Sequence, residues 1–512
     1  MHGRGGPLDG HAGGTLEETV ALNAACAASP AAASRFSANL RRMTHDEKLD
    51  DLVKCLGLNL CALLRCHLAT GCSPNTHIPR LGSATALHFA VLAGSEDPAR
   101  LLIDAGASLD AVGEEGKTAL FDAAARGHAR ICSLLLARGA DVKVHSLIGF
   151  TALHAAAEDG HVSAIEVLVR GGAMLDDAAN NSRYTPLAVA AYYQHLDAVT
   201  KLLELGASAN VCDVLGNSPF VHAVLKDYEP IARALLPHTD LRIMNCSGHN
   251  AFHSSAGQGR LSCFKLLLPH FLDDVDVRSV QARDIPGVVN PNTDKPHNWT
   301  ALMLACSEGH HRIVRELLAN GASRTAVGSD QCTPLMHSAA RGQLACLTML
   351  LGRPGDYKLS AAEVDARSAE GNTALHMAAY EGHRACCAVL IAAGADLNAT
   401  FQGRTPLEVA TVHRADDDQL IALLEGGGTA AGVPPPQLCD GCGIPSSQAP
   451  GGKLRACSAC QSVAFCGTAC MAQAWPGHRS ECQRIKAAKE EKNRVHIIDL
   501  SKPSGQGPSA LV

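Results

Sequence analysis

Residues 118–140 read TALFDAAARGHARICSLLLARGA and contain two short apolar segments separated by a glycine. Thr118 has a hydroxyl group that can cap the first turn of a helix. Gly127 suits the left-handed position that ends a helix, and Gly139 ends the second segment in the same way. The stretch therefore predicts two short helices joined by a tight turn.

This pattern is repeated along the chain, for example as TALHFAVLAG from Thr85 and TPLMHSAARG from Thr333. Most copies start 32 to 34 residues after the previous one, and the starts are Thr85, Thr118, Thr151, Thr185, Ser218, Asn250, Thr300, Thr333, Thr373 and Thr405. Several caps are followed by proline, which is best tolerated at the first helical position. A fixed period of this length is the signature of a repeat architecture.

The units resemble ankyrin repeats, over about residues 83–425. The resemblance implies pairs of antiparallel helices with projecting β-turn fingers. One pair cannot bury its own apolar face, so neighbouring pairs must stack into a solenoid. We expect a mostly α-helical solenoid over residues 47–425, with about ten repeats and an N-terminal cap over residues 47–78 that covers the first apolar face.

Composition agrees with closely packed helices. Hydrophobic residues make up 46% of the chain, yet there are only 10 Phe, 6 Tyr and 2 Trp. A net charge of −6 argues against a chain-wide basic surface for nucleic acid. The sequence has no long apolar run and no signal peptide pattern, and it has 21 cysteines. We therefore expect no membrane segment and a reducing compartment, the cytoplasm or the nucleus, and not secretion.

The recurring histidines need to be weighed as ligands or catalytic groups. They belong to the TALH phrases and to the Gly-His pairs, at His88, His154 and His376 and at His128, His161, His310 and His383. Because each type recurs at one fixed position of the repeat, the pattern favours hydrogen bonding between helices and fingers. We predict no catalytic residue and no enzymatic activity.

Aromatic residues supply the candidate contacts for a partner on the ankyrin concave face and fingers. Phe150, Tyr184 and Trp299 directly precede caps, and Tyr192 and Tyr193 lie in a first helix. Exposed aromatics often anchor interfaces, although local packing within the fingers would use the same residues. An insertion at residues 272–297 either forms a loop on the binding face or is a tolerated surface loop.

A second module follows a Gly/Pro-rich linker, GGGTAAGVPPPQ, at residues 426–437. It has seven cysteines and one histidine in closely spaced pairs: Cys439, Cys442, Cys457, Cys460, Cys466, Cys470, His478 and Cys482. Eight such ligands suffice for two tetrahedral Zn²⁺ sites. A closed four-ligand site leaves no open position for a catalytic water.

This spacing resembles the MYND-type zinc finger, over residues 438–483. The resemblance implies two interleaved zinc sites, one of Cys439, Cys442, Cys466 and Cys470 and one of Cys457, Cys460, His478 and Cys482. A sequential arrangement would instead join Cys439, Cys442, Cys457 and Cys460.

MYND fingers are interaction modules, and several bind proline-containing peptides. Gly467 and Met471 replace residues associated with that peptide contact, which counts against this peptide class here. Trp475 is kept and either anchors a peptide or packs on the zinc core.

The remaining segments are expected to be a flexible N-terminus over residues 1–46 and a short basic helix with a disordered tail over residues 484–512. Together the modules predict a non-enzymatic adaptor that binds one protein on the solenoid and another, or a short peptide, through the finger. The alternative is a ubiquitin-ligase-like or transcriptional regulatory component that acts through the finger. The finger has few basic residues, which argues against nucleic acid as its partner.

Overall fold

A computed structural model describes residues 16–77, 84–178, 181–279, 298–352 and 359–426, together with the backbone of residues 454–456 and 464–466. The chain divides into two compact units between Ala301 and Leu302. The described part is almost entirely helical, and none of its helices is long and apolar enough to cross a membrane.

The first unit begins with four helices, α1 (Leu16–Ala28), α2 (Pro30–Arg42), α3 (His45–Gly57) and α4 (Cys61–Ala69). Helices α1 and α2 pack against each other and against α4. The expectation of a flexible segment over residues 1–46 is therefore wrong for residues 16–42. Phe36 and Leu40 are buried, so burial of apolar surface stabilises this helix pair on the rest of the unit.

Asn23 connects the N-terminal helices to α4. Its Oδ1 atom accepts hydrogen bonds from the main-chain nitrogens of Ala62, at 3.0 Å, and Leu63, at 3.3 Å. These N–H groups belong to the first turn of α4, where the preceding residue, Leu60, offers no side-chain cap. A residue of α1 thus supplies the cap that α4 lacks.

Six helix pairs follow in the first unit. They are α5 (Ala86–Leu92) with α6 (Glu96–Asp104), α7 (Ala119–Ala125) with α8 (Ala129–Ala137), α9 (Ala152–Glu158) with α10 (Val162–Arg170), α11 (Pro186–Tyr192) with α12 (Leu196–Glu204), α13 (Pro219–Leu225) with α14 (Glu229–Leu235), and α15 (Ala251–Gly257) with α16 (Leu261–Leu267). First helices pack on first helices and second helices on second helices. Helix α3 packs on α5 and α4 on α6, so this pair covers the first apolar face as a cap would.

Small residues allow the first helices to approach closely. Ala90, Ala123 and Ala156 are fully buried at equivalent positions of successive repeats. Large apolar contacts come from leucines, and Leu87 and Leu153 are also fully buried. This Ala/Leu core explains how the chain builds a solenoid with few aromatic residues.

The fingers are β-turns that hydrogen-bond to one another. In one of them the main-chain nitrogen of Ser146 donates to the oxygen of Phe150, at 2.8 Å. The nitrogen of Leu147, at the tip of this finger, donates to the oxygen of Glu115 in the preceding finger, also at 2.8 Å. Cys246 and Leu215 make the corresponding contact further along, at 2.7 Å. Adjacent repeats are thus joined at their fingers as well as at their helices.

The second unit contains four more helix pairs and one single turn of helix. The pairs are α17 (Ala301–Glu308) with α18 (His311–Ala319), α19 (Pro334–Ala340) with α20 (Leu344–Leu351), α22 (Ala374–Glu381) with α23 (Arg384–Ala392), and α24 (Pro406–His413) with α25 (Asp418–Glu425). The short helix α21 (Ala361–Val364) lies in the longer connection between α20 and α22 and starts with a capping box formed by Ser360 and Glu363.

Two short strands lie between the predicted zinc ligands. They are β1 (Leu454–Ala456) and β2 (Ala464–Cys466), which pair antiparallel with Leu454 opposite Cys466 and Ala456 opposite Ala464. Within the insertion predicted at residues 272–297, the structure describes residues 272–279, where Leu272–Asp274 forms one 3-10 turn. Residues 280–297 lie outside the described part.

Candidate functional site

The histidines of the TALH phrases connect each first helix to the next finger. The Nδ1 atom of His154 lies 2.8 Å from the hydroxyl of its cap, Thr151. Its Nε2 atom lies 2.8 Å from the main-chain oxygen of Tyr184, to which it can only donate. His88 and His376 repeat the arrangement with the oxygens of Lys117 and Arg404. The prediction that these histidines bond helices to fingers is confirmed.

Burial keeps these imidazoles neutral. It lowers the pKa of His88, His154 and His376, because a charged ring would lose its hydration inside the stack. Two histidines of the Gly-His pairs bond in the opposite direction along the chain. The Nε2 atoms of His161 and His383 lie 3.1 and 3.3 Å from the main-chain oxygens of Ala125 and Ala340, in the preceding first helices.

Four of the aromatic candidates lie on consecutive repeats of the first unit. We call these four residues, Phe150, Tyr184, Tyr192 and Tyr193, together with His222 and Lys226, the aromatic strip. The ring of Tyr184 lies 6.3 Å from that of Tyr192 and 5.0 Å from that of His222. Tyr192 in turn lies 5.3 Å from Tyr193. Phe150 stacks on His154 at 4.9 Å, and His154 bonds to the main chain of Tyr184.

A buried acid lies beside His222 beneath the tyrosines. Asp213 uses one carboxylate oxygen to accept hydrogen bonds from the main-chain nitrogens of Leu215 and Asn217, at 2.8 and 2.7 Å. Its other oxygen lies 3.1 Å from the Nε2 atom of His222, although the two atoms are not aligned for a good hydrogen bond. The finger that contains Asp213 thus lies against the ring on which Tyr184 and Tyr192 pack.

The outer part of the strip combines an exposed ring with a cation. Tyr193 is 48% exposed. The Nζ atom of Lys226 lies 4.6 Å from the centre of the Tyr192 ring, within the range of a cation–π contact. Burial and the nearby Glu158 carboxylate raise the pKa of Tyr193 to about 12, so its hydroxyl stays a hydrogen-bond donor. This surface can bind an apolar or acidic side chain of another protein.

Some residues of this strip could not be selected from sequence. His222 lies on α13 and Lys226 is the residue that caps its C-terminus. The only signal was their position four and eight residues after the cap Ser218, on the side that Tyr192 approaches. Trp299 is not part of the strip. It lies beside Ser279, whose hydroxyl accepts a hydrogen bond from the Trp299 main-chain nitrogen at 2.8 Å. Trp475 lies outside the described residues.

The second unit has a groove of its own, which sequence reasoning missed. It has a volume of about 430 Å³ and is lined in part by Tyr380, Phe401 and His413. Tyr380 is 47% exposed, and its ring lies 4.4 Å from that of His413. Tyr380 lies in the last turn of α22 and His413 is the last residue of α24, so no cap position marked them.

The described backbone of the finger includes one predicted zinc ligand, Cys466. Cys457 directly follows β1, and Cys457 and Cys460 lie in the connection between the strands. Cys466 ends β2 opposite Leu454, about 10 Å of strand away from that connection. The other seven ligand candidates, Cys457 and Cys460 among them, lie outside the described residues.

The donor set fits zinc. Thiolates and imidazoles in pairs two or three residues apart are the ligands of structural Zn²⁺ sites, where the bound ion supplies folding energy. Cys457 and Cys460 have this spacing in the sequence, as do Cys466 and Cys470, and Cys466 ends the second strand of the short hairpin. The module is therefore a zinc-binding domain.

Comparison with family models agrees with the repeat pattern and with the finger. The model described as ankyrin repeats (3 copies) matches residues 52–146, 139–213, 284–361 and 357–427, which together make up more than half of the chain. The MYND finger model matches residues 439–482. Residues 214–283 lie outside the ankyrin matches, but the structure shows the helix pairs α13–α14 and α15–α16 there.

Curated relatives match over parts of the chain. The Probable E3 ubiquitin-protein ligase XBOS33 of Oryza sativa subsp. japonica is 28% identical over 42% of this chain and 32% of its own length. Human diacylglycerol kinase iota is 30% identical over 36% of this chain and 17% of its own length. The B-cell lymphoma 3 protein homolog of Mus musculus is 29% identical over 48% of this chain and 44% of its own length. The matches thus span less than half of each relative.

Among solved structures, the human ASB11 ankyrin repeat domain matches at 28% identity with a TM-score of 0.36, over 39% of this chain and 89% of that one. Ankyrin repeats and MYND fingers are both modules that mediate binding to other proteins. The chain belongs to the ankyrin repeat proteins and has a MYND zinc finger at its C-terminal end.

Proposed function

We propose that this protein is a non-enzymatic adaptor that holds one protein on the ankyrin repeats of its first unit and another through its zinc finger. The aromatic strip is the observation that carries this proposal, because exposed Tyr193 and the Tyr192–Lys226 pair form a preorganised contact surface. Holding two partners on one chain raises the concentration of each near the other.

The proposed partner of the strip presents an apolar side chain next to an acidic one. The apolar group would pack on Tyr193 and Tyr192, and the acid would pair with Lys226. Tyr184 and His222 would act from below by fixing the orientation of Tyr192. Aromatic anchors of this kind typically contribute about 2 kcal/mol or more to an interface.

For the finger we propose two zinc ions, held by Cys439, Cys442, Cys466 and Cys470 and by Cys457, Cys460, His478 and Cys482. Trp475 is its proposed peptide contact. The fourteen cysteines that precede the finger are free thiols, which supports a reducing compartment. We place the protein in the cytoplasm or nucleus. The ligase-like alternative is not favoured, since the ligase relative covers only 42% of this chain.

Affinity purification with mass spectrometry tests the proposal on full-length tagged proteins. One variant, Tyr193→Ala/Lys226→Ala, removes the exposed part of the strip. The other, Cys457→Ser/Cys460→Ser, removes a zinc ligand pair. We expect each double variant to lose a different partner and to keep the other.

Tyr380→Ala is the matched control for the strip, because Tyr380 is equally exposed but lies in the second unit. The partner lost from Tyr193→Ala/Lys226→Ala should remain bound to Tyr380→Ala. If the variants and the wild type return the same proteins, neither surface holds a partner and the adaptor proposal is wrong. Equal loss from the strip variant and from Tyr380→Ala would contradict the assignment to the strip.

A further inference from the structure

A cluster of three potential metal ligands lies in the N-terminal helices, away from the zinc finger sequence. Asp51 and Cys55 are one turn apart on α3, and His67 faces them from α4. One donor atom of each residue lies within 4.8 Å of the donors of the other two. Among the described residues, this is the group of His, Cys and acidic side chains with such spacing.

The cluster is buried. Cys55 is fully buried, and the side chains of His67 and Asp51 are 2% and 15% exposed. The Nε2 atom of His67 lies 2.9 Å from the Oδ2 atom of Asp51. Leucines of the same two helices, such as Leu56 and Leu63, are fully buried around this layer. Buried ionisable groups in such a setting are paired or bind metal.

We propose that Asp51, Cys55 and His67 bind a zinc ion that joins α3 to α4. Thiolate, imidazole and carboxylate are the three ligand types that Zn²⁺ takes in proteins, at about 2.3, 2.0 and 2.1 Å. Tetrahedral bonds of these lengths place the donor atoms about 3.3–3.6 Å from one another. The observed spacing reaches this geometry with side-chain movements of about 1 Å.

Charge balance supports the same ion. A thiolate and a carboxylate together neutralise Zn²⁺, so the loaded site has no net charge inside an apolar layer. His67 adds a neutral donor. The fourth position of the tetrahedron is left to a water molecule or another group. Because α3 and α4 cover the first repeat, the ion would stabilise the cap of the solenoid.

The sequence did not indicate this site. Cys55, Cys61, Cys66 and Cys72 are spaced by five, four and five residues, without the two-residue gap of a zinc knuckle. Of these four cysteines, only Cys55 lies in the cluster. Its neighbours are an acid one turn before it, Asp51, and a histidine twelve residues after it, His67. The i, i+4 spacing of Asp51 and Cys55 is the signal that could have been noticed.

The zinc content of the full-length protein, after dialysis against one zinc buffer, tests the proposal by inductively coupled plasma mass spectrometry. Cys55→Ala should bind one zinc equivalent less than the wild type. Cys132→Ala is the control, since Cys132 is a fully buried thiol on α8 without such neighbours, and it should bind as much as the wild type. Because only differences are compared, the result does not depend on the zinc content of the finger.

Asp51→Asn keeps the test valid if Cys55→Ala does not fold. An asparagine oxygen can still accept a hydrogen bond from His67, so an Asp–His pair with a purely structural role is preserved, but an uncharged amide is a weak zinc ligand. We expect Asp51→Asn to keep the helical circular dichroism of the wild type and to lose about one zinc equivalent. A zinc content equal to the wild type in folded Asp51→Asn or Cys55→Ala overturns the proposal.

Discussion

The imidazole of His161 fills the space that a side chain on Gly127 would need. Gly127 has a φ of +69°, and a Cβ atom built on it would lie 2.6 Å from the Nδ1 atom of His161. The glycine that ends one first helix and the histidine that opens the second helix of the next repeat are therefore packed as a pair. Because His161 also bonds to Ala125, its ring cannot move away without losing a contact.

We expect Gly127→Ala to destabilise the first unit more than Gly139→Ala does. Gly139 has a φ of +92°, but a Cβ atom there would meet nothing within 4 Å. Gly139→Ala should thus cost only the left-handed backbone penalty of about 1–2 kcal/mol, and Gly127→Ala should add about 1–3 kcal/mol for the contact. Urea unfolding followed by circular dichroism measures both. Equal midpoints would show that His161 moves freely.

Replacing His154 should destabilise the same unit through two lost hydrogen bonds. His154→Ala leaves the Thr151 hydroxyl and the Tyr184 oxygen without their partner. Unsatisfied buried groups of this kind and the vacated volume predict a loss of about 2–4 kcal/mol. Thermal unfolding measures it against His238→Ala, since His238 is exposed. A loss no larger than that of His238→Ala would show that the finger contact contributes nothing.

The repeats could be predicted from sequence because every step of their folding is local. A cap such as Thr118 and a left-handed glycine such as Gly127 specify where a helix starts and ends, and most copies have both. Because the period is nearly constant along the chain, the helix pairs are alike and must stack on one another. The hydrogen bonds of His88 and His154 to the next finger could also be predicted, since a residue at a fixed position in the repeat meets the same kind of partner in each copy.

Other features depend on contacts between segments that are distant along the chain. Residues 16–42 contain no repeat, and their helices are stabilised by packing on α4. The hydrogen bond from α4 to Asn23 joins segments 39 residues apart, so it could not be predicted from a local pattern. The aromatic strip was predicted only in part, because Tyr184 and Tyr192 meet His222 through stacking of neighbouring repeats. Most zinc finger ligands lie outside the described residues, so their pairing remains a prediction.

Asn23 offers a direct test of the docked N-terminal helix. Asn23→Ala removes the acceptor for the first turn of α4 and should cost about 1 kcal/mol, as the loss of a helix cap does. Asn23→Asp keeps the oxygen atoms and adds a negative charge at a helix N-terminus, so it should restore the stability. Urea unfolding midpoints compare the three proteins. If Asn23→Ala unfolds at the wild-type midpoint, the helix does not cap α4.

The lowered pKa of His253 predicts that the protein becomes less stable as the pH falls. Burial and the nearby His249 lower the pKa of His253 from its ordinary value of 6.5 to about 3. Between these values the unfolded chain takes up a proton that the folded chain does not, so the free energy of unfolding falls with pH, by up to about 1.4 kcal/mol per unit for each such histidine. His88, His154 and His376 act in the same direction.

Asp122 acts in the opposite direction and reduces the loss of stability that the histidines cause at low pH. Burial raises its pKa to about 6, so the folded state takes up this proton first and gains stability as the pH falls from about 6 towards 4. Burial also lowers the pKa of His128. Five histidines outweigh one acid, so the free energy of unfolding should rise with pH between about pH 5 and 6.5. We expect His253→Gln to reduce this slope by up to about 1.4 kcal/mol per pH unit, which corresponds to one proton. Asp122→Asn should increase the slope. Urea unfolding at pH 7.0, 6.0 and 5.0 measures the slopes, and identical slopes in His253→Gln and the wild type would mean that His253 is protonated equally in both states.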